Sequence, residues 1–181
     1  MQGNLKNSLF NTDILKRIVI YSIMTLIFSS AQCAFFPILK ICPMTPDIIL
    51  AMLVAICLLD DSSSALICSV GAGFLVDAIG ASGISLSPVI YCITIMIVGQ
   101  FTHKMLKSFA SFLLLLVPAL ICRALSTLLC IMIVQRSAPA LWMFGEILVP
   151  EAICTAICAI PIYFLVKLCS KPLQSHSRFT F

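Results

Sequence analysis

Six apolar runs separated by short polar connections leave this chain almost no fold to adopt outside a lipid bilayer. The runs cover 18–36, 46–59, 65–79, 86–101, 109–134 and 147–168. A helix needs about 20 apolar residues to cross the hydrocarbon core, and most of these runs approach that length. Of the 181 residues, 61% are hydrophobic and 10% charged, and the mean hydropathy of +1.16 is far above that of a water-soluble domain. We therefore expect an all-α integral membrane protein, one domain over 1–181, with six transmembrane helices. Little chain is left outside the bilayer for a catalytic domain, so any chemistry has to sit between helices or at their ends.

The net charge of +4 does not point to nucleic acid, because the basic residues gather at the ends of the runs and form no basic face. With six spans, one side of the membrane receives Lys6, Lys16, Arg17, Lys104, Lys107, Lys167, Lys171 and Arg178, and the other only Lys40 and Arg136. Positive residues stay inside, which places both termini in the cytoplasm. The polar residues 1–17 followed by an apolar run look like a signal peptide, but further spans follow, so an uncleaved first helix is expected.

Within this frame, 46–88 carries the most information. Pro46-Asp47 opens the second run: proline in a first turn gives up no hydrogen bond, and aspartate suits the positive helix end. That run is short for a span, so it either tilts or is shielded by its neighbours. Asp60-Asp61-Ser62-Ser63-Ser64 then offers several N-caps for the third helix. On this helix Ala65, Ser69, Gly73 and Asp77 recur every fourth residue, a small-residue stripe ending in a charge, on which another helix can approach closely. Gly80-Ala81-Ser82-Gly83 forms a tight turn into the fourth run.

Two charges fall inside or beside the bilayer. Asp77 lies twelve residues from Ala65, about 18 Å along the helix, and Arg123 fourteen from Phe109, about 21 Å. At matching depth they either form an ion pair joining the third and fifth helices, or Asp77 reaches the outer headgroups while Arg123 snorkels. Asp47, Glu146 and Glu151 collect at the same outer end. They are a cation-binding rim in a transporter, or residues that favour helix starts.

The remaining chemistry-bearing residues are silent. The ten cysteines lie mostly within apolar runs, where they behave as small apolar side chains. Cys154 and Cys158 share a helix face with no second ligand pair, so no metal is expected. His103 sits in a basic connection and His176 in the tail, away from the outer carboxylates, so no catalytic set is formed. Gly71-x-Gly73 belongs to a membrane helix and is not a phosphate loop. Neither an enzymatic role nor a cofactor is expected.

The order Pro46-Asp47, aliphatics, Gly73-Phe74-Leu75-Val76-Asp77, Gly80 to Gly83 and Leu86 resembles the bacterial rod shape-determining MreD family. The resemblance is concentrated in 46–99; chain length, membrane content and Ile160-Pro161-Ile162-Tyr163 in the last span agree with it. Ser69 and Ser85 stand where the family tends to have glycine. The resemblance implies a non-enzymatic scaffold of the elongation machinery. Such a scaffold works with MreC, the actin-like MreB and wall-synthesis enzymes to direct peptidoglycan synthesis and maintain rod shape. It also implies a bundle similar to the substrate-binding (S-component) subunits of energy-coupling-factor vitamin transporters, which supply the alternative function. A transporter needs a cavity with convergent polar groups, and the interior polar set here is thin. The residues expected to carry helix packing or partner contact are Pro46, Asp47, Ser69, Gly73, Asp77, Gly80, Gly83 and Arg123.

Overall fold

A computed structural model describes residues 17–35, 46–60, 62–80, 86–102, 105–135 and 149–174. Among them there are six helices and no strand. They are α1 (Arg17–Cys33, widening into a π-helical turn over Ala31–Phe35), α2 (Ile48–Leu59), α3 (Ser62–Gly80), α4 (Ser87–Thr102), α5 (Phe109–Gln135) and α6 (Val149–Gln174). By length and composition α3, α5 and α6 are able to cross a membrane; α1, α2 and α4 are shorter apolar helices.

Contacts between the helices fix how they run. Arg17 and Tyr21 of α1 meet Asp60, beyond the end of α2, while Gln32 meets Ile49 at its start. Lys107 meets Leu59 and Arg123 meets Asp47, so α5 also runs opposite to α2. Gly73 of α3 lies against Pro88 of α4, and Gly99 of α4 against Ser62 of α3. Thr155 meets Asp47, and Tyr163 packs on Phe109 and Phe112 near Lys107. The helices therefore alternate in direction, and the bundle has an Asp47 end and an Asp60 end.

At the centre stands α2. Its sequence, IILAMLVAICLL, is apolar around the whole circumference, and all twelve residues are buried. Twelve residues rise only about 18 Å, too little to cross about 30 Å of hydrocarbon. Shielding resolves this: α3, α4, α5 and α6 pack against α2, and α1 reaches both of its ends. Lipid tails are as apolar as leucine, so burial from water does not explain why α2 sits inside rather than in the bilayer. Close packing and the polar groups at its two ends must hold it there.

The α3–α4 hairpin supplies the closest packing. Ala65, Ser69 and Gly73 are buried, with Ala72 beside them, and Asp77 is half-buried. A Cβ added to Gly73 would overlap the backbone of Pro88, and one added to Gly99 would overlap the Ser62 hydroxyl. Ser62, Ser63 and Ser64 form the first turn of α3, which thus begins three residues before the expected 65. The outer faces are apolar, with Ile67 69%, Phe74 60%, Ile157 63% and Leu129 60% exposed, a surface suited to lipid and not to water.

Candidate functional site

The N-terminus of α2 is the most polar place among the described residues of the interior. A helix start leaves backbone N–H groups without intrahelical partners, and in a low-dielectric interior each has to be satisfied. Here four in succession find acceptors. The N–H of Asp47 donates to Thr155 Oγ1 (3.0 Å), that of Ile48 to the Pro46 carbonyl (3.1 Å), that of Ile49 to Gln32 Oε1 (3.1 Å), and that of Leu50 to Asp47 Oδ1 (3.1 Å). Asp47 is thus the N-cap that Pro46-Asp47 suggests, but two of the four acceptors come from distant helices.

The Asp47 carboxylate is only 2% exposed and does more than cap. The Tyr91 hydroxyl lies 3.0 and 3.1 Å from its two oxygens, and Arg123 Nε forms an ion pair with Oδ2 at 3.0 Å. The Arg123 guanidinium also lies 5.2 Å from the centroid of the Tyr91 ring, a cation–π contact. Thr155 donates its own hydroxyl to the carbonyl of Glu151 one turn earlier, and the half-buried Glu151 side chain feels the charges of both Arg123 and Asp47. Five helices, α1, α2, α4, α5 and α6, contribute to this knot. Arg123 is near the middle of α5, about 21 Å from one end and about 18 Å from the other.

The chemistry available here is limited by how completely the groups use one another. A carboxylate that already accepts from an amide and a phenol and faces a guanidinium has its charge balanced and its position held. The arrangement acts as a clamp. Removing only the Tyr91 hydroxyl, as Tyr91→Phe, is expected to lower stability by about 1–2 kcal/mol, the range for polar contacts between membrane helices. Thermal unfolding of the purified protein in detergent checks this.

A smaller clamp closes the other end of α2. Asp60 terminates the helix, its N–H donating to the Ile56 carbonyl at 2.9 Å, and its carboxylate accepts from Arg17 and from the Tyr21 hydroxyl (3.0 Å). Lys107 donates to the Leu59 carbonyl at 2.7 Å, satisfying one of the acceptors that a helix C-terminus leaves open. At each end of the buried helix an aspartate is thus met by an arginine and a tyrosine.

Arg123 pairs with Asp47, and this corrects the expectation of an Asp77–Arg123 pair. Depth along two helices is one coordinate; adjacency needs a second. α4 packs against both α3 and α5, whereas α3 and α5 have at most marginal contact, so matching depth does not bring Asp77 to Arg123. Pro46 is buried beside the clamp, Ser69 and Gly73 belong to the α3–α4 contact, and Gly80 is the last residue of α3. Gly83, His103, Glu146 and His176 lie outside the described residues. Sequence reasoning missed Gln32, Tyr91 and Thr155. Their signal is that each is a hydrogen-bonding residue in an apolar run, near the Asp47 end once the alternation is known. No family model, curated protein or solved structure matches the chain.

Proposed function

We propose that the chain is a non-enzymatic membrane scaffold of the MreD kind, acting with MreC, MreB and wall-synthesis enzymes to direct peptidoglycan insertion during elongation. The observation that carries this reading is the use made of the interior charges. Asp47, Tyr91 and Arg123 engage one another at the start of a central helix that is buried along its whole length, so these polar groups tie helices together. The surfaces that remain for work are apolar helix faces and short connections, which suits a protein that assembles others within the membrane. The order of residues in 46–99 supports the family.

In this reading the six-helix bundle sits in the inner membrane, with α2 shielded inside it. Arg17, Lys107 and Lys167 lie toward the Asp60 end, and the excess of positive residues puts that end, with both termini, in the cytoplasm. The test is an affinity pull-down of the tagged full chain from its native membranes, identified by mass spectrometry, beside an Asp77→Asn version. Recovery of MreC and wall synthases is the expected result, and their loss in the variant assigns Asp77 to the contact. Recovery of a transporter's ATPase subunits overturns the scaffold reading and favours the substrate-binding alternative.

A further inference from the structure

The Asp60 end carries a second grouping that the clamps do not use. Phe109, two residues after Lys107, packs its ring 5.3 Å from Tyr163 and 5.9 Å from Phe164, which ties the start of α5 to the last third of α6. Lys167 follows Tyr163 by one turn, its Nζ 5.6 Å from the ring centroid. The Tyr163 hydroxyl is buried and has no hydrogen-bond partner among the described residues. That hydroxyl is enclosed, out of reach of any molecule at the surface, and it is the ring that supports the Lys167 ammonium.

Around these polar groups the surface is apolar and exposed: Leu106 beside Lys107 is 82% exposed, and Phe164 and Leu168 beside Lys167 are 56% and 64% exposed. The described acid at this end, Asp60, is engaged by Arg17 and Tyr21, and neither lysine has a carboxylate partner among the described residues. Lys107 uses one of its three donors on Leu59 and retains two.

The geometry points to a binding site for an anionic membrane lipid at the α5–α6 corner. Lys107 and Lys167 attract the anionic headgroup, and the acyl chains lie along Leu106, Phe164 and Leu168. The neighbouring apolar surface is what selects a lipid over a free phosphate ion, which has nothing to place there. Basic side chains beside membrane helices at the headgroup level attract anionic lipids. The inference holds whether the chain is a scaffold or a transporter subunit.

The test is native mass spectrometry of the detergent-purified full chain offered equal amounts of phosphatidylglycerol and phosphatidylcholine. With two lysines involved, the wild-type chain is expected to retain phosphatidylglycerol with a preference on the order of tenfold. Lys167→Gln should reduce that preference to about threefold, whereas Tyr163→Phe, whose enclosed hydroxyl does not reach the lipid, should leave it unchanged, with thermal unfolding in detergent confirming that both variants remain folded. Lys167→Gln is chosen over a Lys107 variant because Lys107 also caps α2. Equal retention of both lipids by the wild type, or full preference in the folded Lys167→Gln variant, overturns the proposal. Displacement of the lipid by millimolar inorganic phosphate also overturns it, because the ligand is then the ion and not the lipid.

Discussion

Asp47→Ala is expected to lower stability by about 3–5 kcal/mol, because it leaves Arg123 charged and without its carboxylate inside the bundle. Two effects are superposed, and their sizes differ. Loss of the N-cap at Leu50 is worth about 1 kcal/mol. Loss of the Asp47–Arg123 ion pair accounts for the rest, so Asp47→Asn, which keeps much of the capping ability, should remain severely destabilised. Arg123→Met should be comparably harmful, since it strands a carboxylate that is 2% exposed. Combining Asp47→Asn with Arg123→Met removes both charges, and the double variant should be much less destabilised than the sum of the singles. Thermal unfolding in detergent, followed by the loss of helical circular dichroism, reports all four variants. Additive losses would show that Asp47 and Arg123 do not act as a pair. Exchanging the charges of Asp77 and Arg123, by contrast, should restore nothing relative to Arg123→Asp alone.

This contrast marks what a linear chain reveals about such a site. The helices are legible because lipid makes each apolar run declare itself, and the burial of α2 is legible from a run that is apolar all round but too short to span. Asp47 as a helix cap is legible because capping is local: the acceptor and the Leu50 donor are three residues apart. The partners of Asp47 are not. Tyr91 is 44 residues away and Thr155 is 108, and nothing in a helical period encodes which helices lie side by side around a centre. Depth can be counted along a helix at a fixed rise, but a count of depth alone cannot say which helices are neighbours, and it assigns Asp77 to Arg123. The missing coordinate is the order of helices around α2, which is set by packing details such as the α3–α4 contact.

That contact gives the second large effect, and it is sharpest at two glycines that the chain places two residues apart. At Gly73 a methyl group would overlap the backbone of Pro88, and a backbone inside a helix has no rotamer by which to move aside. Gly73→Ala therefore forces α3 and α4 apart and is expected to lower stability by about 1–3 kcal/mol, with Gly73→Val costing more. At Gly71 nothing lies within 4 Å of the same added methyl, and the residue is exposed. Gly71→Ala removes the conformational entropy of a helical glycine without a clash and is expected to be neutral or to raise stability by up to about 1 kcal/mol. Parallel unfolding curves of the two variants decide the point. Equal effects would mean that helix propensity alone governs both sites and that the close α3–α4 approach carries no energetic weight. Opposite signs would show that the small-residue stripe sets the separation of the hairpin. That separation fixes where Tyr91, three residues beyond Pro88, stands relative to Asp47, so the packing of α3 on α4 positions the clamp at the end of α2.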